Sequence, residues 1–363
     1  MKKACGSVFL LVVSVAGCVT KPMVVIEKAG DQETMAKPLS KVAAIAAGGG
    51  HTCALLLDGT VKCWGSNLVG QLGNETVEKD STTPVAVVGI SNVKAIAAGI
   101  TYTCVILSNG RVKCWGVDPT KIEIKTTDRK VFSGPVQIEG ITNATAITTG
   151  WYHTCVILSG GKVKCWGGNP TGQLGDGTTT NSTTPVEVKG ISQAVAIAAG
   201  LAHTCAVISN GTVKCWGAVS SPPGIYGFSS HTPIDIKNIF NATAVAGGRN
   251  HACALLSDGT VECWGSNIFG QLGNRTVSTS ATPLKAEDIS NAIAISAGVF
   301  RTCTLHSDGT VKCWGAVTNP SKPLGVSPVF GTVDGISNAI GVAVGGAHIC
   351  ALLRDATVKC WAE

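Results

Sequence analysis

Fourteen of the sixteen cysteines fall into one arrangement, Cys-x9-Cys-Trp, repeated along the chain. The pairs are Cys53 with Cys63, Cys104 with Cys114, Cys155 with Cys165, Cys205 with Cys215, Cys253 with Cys263, Cys303 with Cys313, and Cys350 with Cys360. Paired thiols can bind metal or form structural bridges. Zinc normally takes four ligands, and each copy offers two thiols with no His close by, so a metal site is not expected. Between the cysteines lies a tight-turn signal such as Asp58-Gly59, Asn109-Gly110, Asn210-Gly211, Asp258-Gly259 or Asp308-Gly309. A three-residue loop Leu57-Asp58-Gly59 closed by residues 56 and 60 brings position 53 opposite 63 on a non-hydrogen-bonded site of an antiparallel pair. Cα atoms there are about 4.5 Å apart, within reach of a disulfide. One cross-strand disulfide per copy is therefore expected, and with it an oxidising compartment. The last copy carries Ala356 where the turn glycine should be, which calls for a strained turn or one of another type.

Other repeated residues invite chemistry less strongly. His51, His153, His203, His251 and His348 each precede the first Cys by two places, with Tyr102 and Arg301 taking that position in the second and sixth copies. A wide ring of histidines lacks the convergence metal ligation needs, and buried rings bonded to blade backbone are expected instead. The repeated tryptophans (Trp64, Trp115, Trp166, Trp216, Trp264, Trp314, Trp361) are expected as wedges between packed units. Gly70-Gln71-Leu72-Gly73 recurs at 172–175 and 270–273; no Lys-Ser/Thr follows it, so it suits a tight turn better than a phosphate cradle. No nucleophile elbow, zincin motif or conspicuous pair of carboxylates stands out, so no catalytic residue, metal site or cofactor is assigned.

Positioning these residues requires a repeat. The first cysteines are spaced 51, 51, 50, 48, 50 and 47 residues apart. Each copy reads as four short strands: a small-residue strand such as Ala95-Ile96-Ala97-Ala98-Gly99, a hairpin carrying the cysteines, and a fourth strand opened by Pro, as in Pro84-Val85-Ala86-Val87. Small side chains suit a strand beside a crowded axis. The expected fold is all-β: a seven-bladed β-propeller with four-stranded blades over 41–363. The seventh copy ends without a fourth strand, and residues 21–26 read as a strand that could complete it. Copies one, three and five carry Gly-Gln-Leu-Gly and the others do not, which suggests duplication of a two-blade unit.

Ahead of the repeats, Lys2 and Lys3 precede an apolar run, Val8 to Val13, too short to span a bilayer. Val15-Ala16-Gly17-Cys18 then resembles the bacterial lipobox. The resemblance implies a signal peptide over 1–17, a lipid on Cys18 and a tether over 18–40. Val19 in place of Asp disfavours retention at an inner membrane, so the expected location is the cell envelope, at the outer membrane where one exists. Net charge is +6 with no block of Lys or Arg, which argues against a nucleic-acid partner.

His51-Thr52-Cys53-Ala54-Leu55, Asp58-Gly59-Thr60-Val61, Cys63-Trp64-Gly65 and Gly70-Gln71-Leu72-Gly73 together resemble the repeat of the regulator of chromosome condensation family, over about residues 41–361. The paired cysteines depart from that pattern. The family fixes a fold more than a function. Its founding member exchanges nucleotide on a nuclear GTPase, whereas an exported protein suits better the secreted inhibitor in the family that binds its enzyme through loops on one face. The expectation is a monomeric, non-enzymatic, lipid-anchored scaffold that binds another protein of the envelope or exterior. The alternatives are a sugar- or metal-binding lectin, a hydrolase, and a structural envelope component. The residues between the first strand and the His position vary while their surroundings repeat, and Tyr102, Trp151, Tyr152, Arg249, Asn250, Phe300 and Arg301 are expected to meet the partner.

Overall fold

The computed structural model describes residues 39–77, 79–117, 131–219, 229–316 and 331–362. Over these the chain forms six four-stranded antiparallel sheets and one of three strands. In blade 1 the strands are Val42–Ala47, His51–Leu56, Val61–Gly65 and Ser81–Ala86, paired in that order. The innermost strands of blades 2 to 7 are Val93–Ala98, Ala144–Thr149, Ala194–Ala199, Ala242–Gly247, Ala292–Ala297 and Ala339–Val344. Their Ala and Gly content permits close approach at the axis. The sequence-expected closing strand over 21–26, the lipid site Cys18, and the long loops after Trp115, Trp216 and Trp314 lie outside the described residues, in whole or in part.

The hairpins follow the expected turn. Leu56 N–H bonds Thr60 C=O at 2.9 Å, Gly59 N–H bonds Leu56 C=O at 3.0 Å, and Gly59 has φ 78°. Cys53 faces Cys63 in register, and the two form a disulfide. The same bridge joins Cys104 to Cys114, Cys155 to Cys165, Cys205 to Cys215, Cys253 to Cys263, Cys303 to Cys313 and Cys350 to Cys360. In all seven the Cα atoms are 4.0–4.1 Å apart, a little closer than the spacing expected of a non-hydrogen-bonded pair. Ala356 adopts φ 62°, so the seventh turn keeps the common geometry and accepts the left-handed conformation without glycine.

Each core lies between neighbouring blades. Leu72, Val105 and Trp115 share one buried cluster with Cys53 and Cys63, and the same grouping recurs around the ring. Trp115, Trp166, Trp216, Trp264 and Trp314 are fully buried, as wedges should be. Blade 7 meets blade 1 through Val42, Ile45, Ala47 and Ala54 packed on Ala343, Cys350 and Leu352. Val42 N–H also bonds Ala356 C=O at 3.2 Å. Among the described residues, closure is thus achieved by side-by-side packing.

Candidate functional site: the seams and the upper face

The inner strand of every blade ends where it turns into the second strand, at one end of the ring, here the upper end. The Asp-Gly and Asn-Gly hairpin turns lie at the lower end, as the repeat register requires. Four of the seven seams are held by a histidine at the His position meeting a threonine of the next blade. His51 Nε2 is 2.8 Å from Thr103 Oγ1, His153 Nε2 is 2.8 Å from Thr204 Oγ1, and His251 Nε2 is 2.9 Å from Thr302 Oγ1. The expected backbone partner is therefore replaced by the hydroxyl of the next blade. These Thr hydroxyls donate to the carbonyls of Gln71, Gln173 and Gln271, so the histidines must donate through Nε2–H and carry no proton on Nδ1. Burial pushes the imidazoles of His51, His153 and His251 down to about 3, and those of His203 and His348 to about 4. Glycine is required beneath these rings: a Cβ on Gly200 would sit 2.1 Å from Cε1 of His203.

The Gln carbonyls also accept from tryptophan. Trp115, Trp216 and Trp314 donate Nε1–H to Gln71, Gln173 and Gln271 at 2.9, 2.9 and 3.0 Å. The Gly-Gln-Leu-Gly turns of blades 1, 3 and 5 thus clasp the even blades that follow them, which gives the two-blade alternation a physical basis. Asn67, Asn169 and Asn267, all fully buried, organise these loops. Their Oδ1 atoms accept from Leu72, Leu174 and Leu272, and their Nδ2 groups donate to the carbonyls of Thr76, Thr178 and Thr276. Sequence reasoning passed over these asparagines, although the recurrence Trp-Gly-x-Asn marks them.

The cysteines belong to the scaffold. The second cysteine of each hairpin (Cys63, Cys114, Cys165, Cys215, Cys263, Cys313 and Cys360) is held in its bridge, as is the first, so none of these thiols is available as a ligand or nucleophile.

Three seams depart from the pattern: at 2/3 a tyrosine, Tyr102, takes the histidine's place, and two others lack the His–Thr contact. Ala252 stands where the partner threonine of His203 should be, and neither ring nitrogen of His203 has a hydrogen-bond partner. Ile349 stands opposite Arg301, whose guanidinium donates instead to Ala316 C=O through Nε (3.1 Å) and Nη2 (2.6 Å), and burial lowers it to about 10.

Among the residues expected to meet a partner, three are placed differently. Tyr102 is fully buried, and its hydroxyl donates toward Gly150 and His153 carbonyls at 3.1 and 2.7 Å, so it staples blades 2 and 3. Arg301 is 8% exposed, its guanidinium held on the Ala316 carbonyl of its own blade. Trp151 is 7% exposed, its ring turned inward beneath a cation. Tyr102 and Arg301 each open a strand and point into the ring rather than outward, whereas Trp151 lies in the loop ahead of its strand and is covered by Arg249.

Tyr152, Arg249, Asn250 and Phe300 are half-buried at the upper end. The Arg249 guanidinium lies 5.2 Å from the ring centroid of Trp151, two blades away, and 5.6 Å from that of Phe300. Phe300 packs on Phe269 with centroids 4.4 Å apart, beside half-exposed Ile268, and Trp151 meets Tyr152 edge-on at 6.0 Å. The loops beneath are tied from blade to blade by backbone bonds: Gly49 N–H to Gly99, Trp151 to Gly200, Leu201 to Arg249, Arg249 to Gly298, and Gly346 to Gly48. The result is a stiff ring of loops topped by an aromatic cluster with one cation at its centre. Among the described residues, no group of three or more His, Cys, Asp or Glu is placed to hold a metal. No helix among them is long and apolar enough to cross a membrane.

The architecture is that of a seven-bladed β-propeller. Family models described as "Regulator of chromosome condensation (RCC1) repeat" match residues 42–71, 144–173 and 242–271 in one form, and 58–106, 160–207 and 258–305 in another. The chain belongs to the RCC1 repeat family. It is similar to Protein pim1 of Schizosaccharomyces pombe, 29% identical over 38% of this chain and 29% of that protein. It is also similar to the Ultraviolet-B receptor UVR8 of Arabidopsis thaliana, 28% identical over 38% of this chain and 32% of the receptor. The match thus spans no more than about a third of either relative. Two solved structures share the fold: Prp20p of Saccharomyces cerevisiae (TM-score 0.71, 21% identity, 84% of this chain and 81% of that one) and human WBSCR16 (TM-score 0.73, 18% identity, 86% and 87%).

Proposed function

We propose that this chain is an exported, lipid-anchored propeller that binds another protein on its upper face, with no catalytic role of its own. The observation that carries the reading is the cluster in which Arg249 bridges Trp151 and Phe300 across the upper end. Aromatic and Arg side chains held rigidly by a bonded scaffold lose little entropy on association and dominate many interfaces. The disulfides and the leader over 1–17, followed by Cys18, support export and anchoring at the envelope, at an outer membrane where one exists. A related propeller, yeast RCC1 (Prp20), has been crystallised bound to Kap60, in keeping with a protein-binding role for such a fold. An enzyme inhibitor is one form this activity could take.

The test is affinity capture from envelope extracts with the parent chain and with Arg249→Ala and Phe300→Ala variants of unchanged melting temperature. A specific partner retained by the parent and weakened by more than about 1 kcal/mol in at least one variant is the expected result. Equal capture by all three chains would place the binding surface elsewhere.

A further inference from the structure

The lower end carries features that the upper-face reading leaves unused. Among the described residues, five large apolar side chains are more than half exposed, and four of them protrude at the lower end: Phe240 (70%), Leu57 (69%), Ile293 (58%) and Val195 (55%). Leu57 is the most telling. It occupies the first place of the blade 1 hairpin turn, where blades 2 to 6 have Ser108, Ser159, Ser209, Ser257 and Ser307.

Leu57 also sits among cations. Its N–H bonds the carbonyl of Lys41 at 2.8 Å, and it lines a shallow depression shared with Ala43 and Lys94. The turn of blade 7, which begins at Arg354, adjoins this point through the Val42 to Ala356 bond. Arg111 closes the corresponding turn of blade 2. Lys41, Leu57, Lys94, Arg111 and Arg354 are all exposed. The acids on this rim are Asp58 and Asp355, each bonded to the Thr two places on, and Glu139, bonded to Gln137. The far side of the lower end is more acidic: blades 5 and 6 bring Asp258, Glu287, Asp288, Asp308 and Asp334 there, against Lys285, Lys312 and Arg275, the last ion-paired to Glu287 and Asp288.

The chain enters the fold at this cationic rim. Residue 41 lies at the lower end of the first inner strand, so the tether that begins at Cys18 joins the fold beside Leu57. We infer that the lower rim of blades 7, 1 and 2 is a docking surface for an anionic phospholipid membrane, with Leu57 entering the interface and Lys41, Lys94, Arg111 and Arg354 facing the headgroups. The inference rests on the lipid-anchor reading of Cys18. A lipid on Cys18 would hold the chain beside the bilayer, where a basic patch with an apolar side chain gains from headgroup attraction and so fixes which rim faces it. The acidic rim of blades 5 and 6 tilts away from the same surface, and the upper face is left pointing outward.

The test uses the chain from residue 18 onward with Cys18→Ser, which retains every described residue and carries no lipid. Its co-sedimentation is measured with vesicles containing phosphatidylglycerol and with vesicles of phosphatidylcholine alone. The expected result is binding to the anionic vesicles that disappears at about 0.5 M salt, and that Lys94→Glu and Leu57→Asp each weaken about fivefold or more. Trp151→Ala, at the other end, should bind as the parent does. No preference for anionic vesicles, or equal binding by both lower-rim variants when they melt as the parent does, overturns the inference. The anchor itself is tested apart from this, by whether Cys18→Ser releases the protein from cell membranes washed in high salt. Vesicle binding with an unchanged cellular fraction would sink only the anchor; release without vesicle selectivity would sink only the docking surface.

Discussion

Nε2 of His348, in the last blade, lies 2.7 Å from Oγ1 of Thr52, in the first. Residues 296 positions apart are thereby joined across the seam that closes the ring, the same contact that three other seams make between neighbours. The repeat thus carries its own closure: a blade that presents Thr to the blade before it and an imidazole to the blade after it can complete a ring without a dedicated latch.

This contact has a measurable worth. Thr52→Val keeps the shape and removes the hydroxyl, leaving the His348 ring without its partner, and should lower stability by about 1–3 kcal/mol in denaturant unfolding. The converse change is informative at the 4/5 seam, where His203 already lacks a partner. Ala252→Thr installs the side chain that four other blades accommodate at a histidine seam and should raise stability by about 1 kcal/mol. A loss of stability in that variant would mean the seam has closed over the missing group.

Acid should weaken the ring. Five histidines have folded-state values of about 3 to 4, well below the ordinary value of 6.5. Between those limits the unfolded chain binds protons that the folded chain refuses. Stability is therefore fully present above about pH 6.5 and falls as pH drops toward 4, by up to about 1.4 kcal/mol per pH unit for each histidine. Unfolding free energies measured across that range check the slope. Replacing His153 and His251 together with Gln should flatten it; an unaltered slope would show that other groups govern the acid limit.

The disulfides give a prediction about connectivity. Peptide maps of unreduced protein should contain seven linked pairs, each within one blade, from Cys53 with Cys63 in the first to Cys350 with Cys360 in the last. Replacing Cys104 and Cys114 together with Ala should cost at most about 3 kcal/mol, because the loop their bridge closes is short. Links between blades, or free thiols in several of them, would contradict the pairing.

Much of this molecule could be read from its sequence. The Cys-x9-Cys-Trp period, the Asp-Gly turns and the Ala-rich inner strands all report local geometry, and local geometry decides blade count and disulfide pairing. The seams were less legible. His51 and Thr103 lie 52 residues apart, and nothing local says that one blade's imidazole meets the next blade's hydroxyl. Tyr102 shows the cost. Read as a neighbour of a variable loop it suggested a surface, but its place at the head of a strand turns it into the seam. The cluster of Trp151, Arg249 and Phe300 joins three blades, so its members could be suspected singly while their arrangement could not. The lower rim was missed because Leu57 takes its meaning from exposure, which composition does not report.

Ala356 supplies a final test. The other six hairpin turns place glycine at this position, for example Gly59 at φ 78° and Gly309 at φ 83°. Ala356 holds φ 62° with the same closing bonds, Leu353 N–H to Thr357 C=O and Ala356 N–H to Leu353 C=O, both at 2.9 Å. The turn is retained because the flanking strands and the Cys350–Cys360 bridge dictate it. A left-handed residue bearing a Cβ costs about 1–2 kcal/mol, and glycine returns part of that gain through the greater freedom it gives the unfolded chain. Ala356→Gly should therefore stabilise the protein by about 0.5–1 kcal/mol net. The effect should reach beyond the turn, because Ala356 C=O receives the N–H of Val42 and so belongs to the closing seam. Hydrogen exchange at Val42 and Leu353 should slow in the variant by about the same free energy. A stabilised turn with unchanged exchange at Val42 would show that the last hairpin and ring closure are energetically separate.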